Sequence, residues 1–227
     1  MDDRAAGILR RDVLVRADGN DLAGDVVVPA NATGMVLFAH GSGSSRRSPR
    51  NVWVAQHLHR AGLATLLFDL LTPAEETRDA VTREHRFDIA LLARRLAGAT
   101  RWVAEQSGLR SLAVGYFGAS TGSAAALVAA AEHRHRVAAI VSRGGRPDLA
   151  GETVLARVTA ATLLIVGSND DTVLQLNRAA QSQMTCERRL AIVAGASHLF
   201  EEPGALEQVA DLATQWLVRH LAVPKRG

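Results

Sequence analysis

Three residues of this 227-residue chain have types and spacing that could together do chemistry: a serine in Gly118-Ala119-Ser120-Thr121-Gly122, an aspartate at Asp170 and a histidine at His198. A serine hydroxyl is a weak nucleophile until a base removes its proton, and the base needs an acid to orient its ring. The chemistry implied is attack by Ser120 on an acyl carbon, with His198 moving the proton and Asp170 holding His198. The transition state would also need two converging N–H donors for the developing oxyanion. The amide of Thr121, directly after the serine, and that of Ser42, in His40-Gly41-Ser42-Gly43, are the expected pair.

Each assignment has a competitor. A serine between a strand and a helix also serves as an ordinary N-cap. Asp171 stands beside Asp170, where it would cap the following helix, and Asp148 beside Pro147 lies on the loop from which some hydrolases take their acid. Asp170 is preferred because it fits the Gly167-x-x-Asp-x-x-Val173 frame. His57, His59, His85, His133 and His135 fall in or at the ends of expected helices, and His220 lies near the C-terminus. His40 is expected to hold its loop rather than act as a base. Arg46, Arg47 and Arg50 follow that loop, and Arg143 and Arg146 follow a later strand. These five could attract a substrate carboxylate or phosphate, with Arg46 and Arg146 the residues singled out for substrate binding, against the plainer and preferred reading of a solvated basic loop. Glu75 and Glu76 could line the opposite wall, but helix N-terminal charge is the preferred reading.

The elements that would position these groups follow from hydrophobic pattern. Alternating residues 12–16 and 22–28 around Asp18-Gly19-Asn20 suggest a hairpin. Apolar runs at 34–39, 64–68, 111–117, 137–141, 163–166 and 189–193 suggest buried strands. Helical spacing is expected over 49–61, 83–106, 121–133, 173–184 and 205–221. Strands alternating with helices imply right-handed crossovers and a mostly parallel sheet covered on both faces, with the hairpin adding an antiparallel edge. Ser120, Asp170 and His198 each fall just past a strand, at the carboxyl edge where open α/β sheets bind ligands. The fold expected is α/β, one domain over residues 1–227, with about eight strands and no more than a minimal lid between the 137–141 and 163–166 strands.

With the motifs in place, the chain resembles the α/β-hydrolase superfamily and, within it, the dienelactone-hydrolase-like branch. The resemblance rests on His40-Gly41-Ser42-Gly43, Gly118 through Gly122, Gly167 through Val173 and Gly195-Ala196-Ser197-His198. It implies an α/β-hydrolase fold and a hydrolase of esters, lactones or related acyl bonds, with no metal and no cofactor. Dienelactone hydrolases proper carry a cysteine nucleophile, so the serine at position 120 favours carboxylesterase-like activity. Acyltransferase or perhydrolase use of the same triad, or a catalytically silent binding scaffold, are the alternatives. Further stretches, among them Ser142-Arg143-Gly144-Gly145-Arg146-Pro147-Asp148, resemble a subgroup sometimes fused to phosphoribosyltransferase domains, and no such second domain is expected here.

Composition sets the outer bounds. Hydrophobic residues make up 48% and charged residues 22%, enough for a sizeable core. The net charge of +3 is scattered arginine, Lys225 being the one lysine, and aromatics are only 4%. Nucleic acid is therefore not an expected partner, and a small-molecule acyl substrate is. One cysteine, Cys186, excludes an intrachain disulfide. No apolar run reaches the ~20 residues of a membrane span, and Met1-Asp2-Asp3-Arg4 is unlike a signal peptide, so a cytoplasmic location without membrane attachment is the expectation.

Overall fold

A computed structural model describes residues 7–222. The chain opens with a hairpin, β1 (Leu9–Ala17) and β2 (Asn20–Val28), then runs β3 (Gly34–Ala39), α1 (Pro49–Arg60), β4 (Leu63–Phe68), α2 (Pro73–Thr82) and α3 (Ile89–Glu105). It continues through β5 (Val114–Ala119), α4 (Thr121–Glu132), β6 (Val137–Arg143), a 3-10 turn (Pro147–Ala150), α5 (Glu152–Arg157) and β7 (Ala161–Gly167). The last elements are α6 (Asp171–Gln183), β8 (Arg188–Val193) and α7 (Ala205–Leu221).

The eight strands form one sheet in the order β1-β2-β4-β3-β5-β6-β7-β8. Pairings from β4 through β8 are parallel, and the hairpin joins β4 antiparallel. Strands β3, β4, β5 and β7 are buried along their whole length, as continuous apolar runs covered on both faces must be. One face packs against α3 and α4 in a cluster that includes Leu37, Leu66, Leu96 and Leu127. The other packs against α1 and α7, where Phe38, Phe117, Val54 and Leu217 meet. The expected architecture is therefore the observed one.

Details differ from the sequence reading: the strand expected at 111–117 is β5 at Val114–Ala119, and the 3-10 turn and α5 are additional. Residues 73–82 form a helix of their own, because Thr72 and Glu75 make a reciprocal capping box and Pro73 occupies the first turn. Residues 83–88, expected to be helical, are instead a loop. Arg83 takes a left-handed backbone, and the buried Asp79 carboxylate accepts the amides of His85 (2.8 Å) and Arg86 (2.9 Å) and the Arg86 Nε–H (2.6 Å). Those bonds satisfy the backbone outside any helix, so the helical pattern resumes only when Asp88 caps α3 through the Leu91 amide. The segment between β6 and β7 holds only the 3-10 turn and the six residues of α5.

Candidate active site

The ends of β3, β5, β7 and β8 supply the groups singled out in the sequence. β5 passes into α4 through Ser120, whose backbone sits at φ 51°, ψ −120°. A non-glycine residue there is strained, by about 1–3 kcal/mol, and persists only where surrounding contacts hold it. Its amide donates to the Arg143 carbonyl (3.2 Å), and its carbonyl accepts from the amides of Ser123 (3.1 Å) and Arg146 (3.2 Å). The glycines on either side are required by close approach. A Cβ at Gly122 would stand 2.1 Å from the Ala39 carbonyl oxygen, and one at Gly118 2.5 Å from the Ser123 Cα. The Ser120 side chain makes no capping bond to α4, which removes the N-cap as an account of the serine.

His198 follows the turn after β8, and its Nδ1 lies 2.6 Å from Asp170 Oδ2. Asp170 is held at the end of β7 by its own amide, which donates to the Gly167 carbonyl (3.2 Å). The two loops are laced together, since Ser168 donates to Val193 (2.9 Å) and Asn169 to Ala196 (2.9 Å) through their amides. Of the three aspartates weighed as acid, Asp170 is thus the one the fold brings to His198. Asp171 is the first residue of α6, and Asp148 takes a bidentate pair of bonds from Arg146 (2.8 and 2.7 Å). Gly144 makes room for the histidine, because a Cβ there would meet the His198 carbonyl oxygen at 3.1 Å and Nδ1 at 3.4 Å.

The loop after β3 approaches the serine from the other side. A Cβ at Gly41 would lie 3.2 Å from both the Ala119 carbonyl oxygen and Ser120 Cβ, so the Ser42 amide follows a residue in contact with the elbow. Among the described residues, neither the Ser42 nor the Thr121 amide has a hydrogen-bond acceptor. His40 fixes the loop. Its Nε2 accepts from the Leu70 amide (3.1 Å), which leaves Nδ1–H to donate to the Gly41 carbonyl (3.0 Å). Burial pushes its pKa down, so the ring stays neutral, in keeping with a structural role. A cavity of about 480 Å³ opens beside the loop, bounded by Ser42, Ser44, Arg47, Pro49, Leu71 and Glu76. Ser120 and His198 lie outside its lining. Burial, with Asp69 and Asp79 nearby, raises the Glu76 carboxyl above its ordinary range.

The basic residues divide into engaged and unengaged. Arg46 pairs with Asp69, which also accepts its amide (2.8 Å), and with Asp25 (3.2 Å), so it moors the loop to β2 and β4. Arg146 is committed to Asp148. Both candidate substrate-binding arginines therefore already have carboxylate partners. Glu75 closes the α2 capping box and pairs with Arg95 (2.8 Å), the helix role expected of it. Arg143, for which the sequence offers either attraction of a substrate anion or a place in a solvated basic loop, is almost fully buried, so the solvated reading does not hold for it. The available signal was its period-two spacing from the buried Ala139 and Val141 on β6.

A doubly covered parallel sheet with a strained serine elbow at its carboxyl edge defines an α/β hydrolase. The description "alpha/beta hydrolase fold" matches residues 34–164, and the chain belongs to that family. Within it the protein is a dienelactone-hydrolase-like enzyme: a dienelactone hydrolase from Anabaena variabilis is 56% identical over 95% of this chain and 99% of its own, with a TM-score of 0.93. Two Mycobacterium tuberculosis proteins, of strains CDC 1551 / Oshkosh and H37Rv, bear a provisional phosphoribosyl transferase name and are 57% identical over 213 residues. That match takes in 94% of this chain but 47% of each of theirs, so the chain spans about half the length of these curated relatives. Est1E from Butyrivibrio proteoclasticus shares the fold at 16% identity, covering 93% of this chain and 99% of its own with a TM-score of 0.78.

Proposed function

We propose that this hydrolase cleaves small carboxylic esters or lactones by two-step acyl transfer. Ser120 attacks the carbonyl while His198 takes its proton and later returns it to the leaving alkoxide. Asp170 orients the ring and stabilises the imidazolium, and the amides of Ser42 and Thr121 receive the oxyanion. Water, activated by His198, then releases the acyl group. The observation that carries this reading is the 2.6 Å contact between His198 Nδ1 and Asp170 Oδ2, at the same sheet edge as a serine elbow whose hydroxyl caps nothing. A carboxylate accepting from Nδ1–H leaves Nε2 unprotonated, the tautomer a general base requires.

The dienelactone hydrolase name of the Anabaena protein supports ring-opening of a lactone as one form of the reaction. The phosphoribosyl transferase name belongs to proteins of which the match takes in 47%, and the reading proposed for this chain rests on its own site. The test is turnover of 4-nitrophenyl acetate together with labelling by a fluorophosphonate. Ser120→Ala is expected to abolish both, and His198→Ala to reduce both by several orders of magnitude. Undiminished turnover in Ser120→Ala would remove the serine from the reaction.

A further inference from the structure

No step of the acyl transfer uses the cavity of about 480 Å³ beside the Ser42 loop, although its size is that of a small-molecule site. Ser42, whose amide is the proposed oxyanion donor, stands on its wall, while Ser120 and His198 do not. The leaving oxygen of an acyl transfer must come within hydrogen-bond reach of His198 Nε2, because it takes its proton there. A group that fills this cavity is therefore the acyl portion, reaching from the oxyanion loop away from the histidine.

The lining is polar, yet its charges cancel. Arg86 is closed on Asp79 through its Nε–H (2.6 Å) and its amide (2.9 Å), and His40 is neutral. The charged lining side chains left without a partner among the described residues are Arg47 and Glu76, one of each sign. Burial, then the Asp69 and Asp79 charges, hold the Glu76 carboxyl above its ordinary range, which weakens its demand for a cation. A wall without net charge gives neither an anion nor a cation the advantage.

Serines supply the remaining polarity. Ser45 and Ser48 Oγ accept the amides of Arg47 (3.2 Å) and Asn51 (3.4 Å). None of the hydroxyls of Ser42, Ser44, Ser45 and Ser48 donates to a described group. Donors without acceptors, beside a carboxylate without a donor, suit a ligand that offers both, and a hydroxyl is the simplest group that does.

We infer that this cavity is the acyl subsite and takes an uncharged, hydroxylated acyl group, held by the Glu76 carboxyl and the Ser44 hydroxyl. The inference rests on the hydrolase reading above and narrows it to polyhydroxy acid lactones and esters. In the lactone case Ser120 displaces the ring oxygen, which takes its proton from His198, and water then releases the hydroxylated acid.

The experiment follows ring-opening of five-membered lactones by proton release in the wild type, Glu76→Ala, Glu76→Gln and Ser44→Ala. γ-Butyrolactone is bare, galactono-1,4-lactone hydroxylated, γ-carboxy-γ-butyrolactone anionic and α-amino-γ-butyrolactone basic. The wild type is expected to favour galactono-1,4-lactone in kcat/KM by about tenfold or more over each of the others. Glu76→Ala is expected to lower the galactono-to-butyrolactone ratio by about tenfold and Ser44→Ala by about fivefold, chiefly through KM, with Glu76→Gln recovering part of the loss. Glu76 is exposed and bonds to no described group, so its variants are expected to fold. A second arm needs no chemistry: gluconamide and butyramide are titrated separately against thermal unfolding of the wild type and Glu76→Ala. Gluconamide alone is expected to raise the wild-type Tm, and not that of the variant. A wild type that favours the bare or a charged lactone, or variants that leave the ratio unchanged, overturn the inference. If no lactone is opened, the gluconamide titration decides the subsite, and no rise in Tm overturns it. A fluorophosphonate that also leaves Ser120 unlabelled is what fails the hydrolase reading.

Discussion

Asp170→Asn is the substitution that separates the proposed mechanism from its neighbours most sharply. Asp170 Oδ2 lies 2.6 Å from His198 Nδ1, in the range of a strong charge-assisted bond, and its side chain is only 15% exposed. Asparagine preserves the shape but removes the charge, and its amide NH2 can face Nδ1 only if that nitrogen gives up its proton. The proton then resides on Nε2, the atom that must accept from Ser120. Loss of imidazolium stabilisation and the wrong tautomer act together, and the serine-protease precedent is a fall of ~10⁴ in kcat, or about 5 kcal/mol of transition-state stabilisation. The controls are Asp171→Asn, which removes an acid from the first turn of α6, and Asp148→Asn, which breaks the bidentate pair with Arg146. Both are expected to keep kcat within about tenfold of the wild type, since neither contacts the histidine. The assay is steady-state hydrolysis of 4-nitrophenyl acetate, with near-UV circular dichroism confirming that each variant folds. An Asp148→Asn or Asp171→Asn variant that loses ~10⁴ while Asp170→Asn stays near wild type would refute the assignment of the acid.

Other expectations follow from the same geometry. Ser120→Gly removes the strain of φ 51°, ψ −120°, so urea denaturation is expected to show a gain of about 1 kcal/mol alongside complete loss of activity. Gly41→Ala places a Cβ 3.2 Å from both the Ala119 carbonyl and Ser120 Cβ, and the Ser42 amide must shift by a few tenths of an ångström to accommodate it. Loss of one oxyanion donor costs about 10²–10³ in kcat, so a partial misalignment is expected to lower kcat by about tenfold with KM little changed. His59 is held neutral, its pKa lowered to about 4 by burial and by the Arg10 charge, while its Nε2 bonds Thr65 Oγ1 (2.7 Å). The unfolded chain therefore binds a proton that the folded one refuses. Stability is at its full value above about pH 6.5 and falls as pH drops toward 4; His59→Gln is expected to flatten that part of a Tm-versus-pH profile.

The sheet and the ends of its central strands were readable because apolar runs such as 34–39 and 163–166 stop at glycine-containing turns, and because a doubly covered strand needs no alternation. The placement of Ser120, Asp170 and His198 at the sheet edge was readable for the same reason: each falls within a few residues of the end of such a run. What escaped depends on groups distant in sequence. The loop at 83–88 carries a helix-like pattern, and only the Asp79 carboxylate, reaching the amides of His85 and Arg86, shows why it is not helical. The partners of Arg46, Asp25 on β2 and Asp69 just past the end of β4, are distant from it in sequence, so the pairing could not be read from the chain. The burial of Arg143 required knowing that β6 lies between β5 and β7 with α7 across its face. The choice between Asp170 and Asp171 was a matter of one residue of loop length, which the frame from Gly167 suggested and the bond to His198 made visible.

The sheet order has a further consequence for how the enzyme fails. Ser120 stands near the middle of the sheet, but His198 hangs from β8, an edge strand paired only with β7. The same edge seats Asp170, through the bonds from the Ser168 and Asn169 amides to Val193 and Ala196. Edge strands fray at lower free energy than central ones. Fraying of β8 would withdraw the proposed base and acid together while leaving the Ser120 elbow and most of the core intact. On the proposed mechanism, inactivation on warming would then be a local event that precedes melting, and a chain still being synthesised would stay inert until its last strand docks.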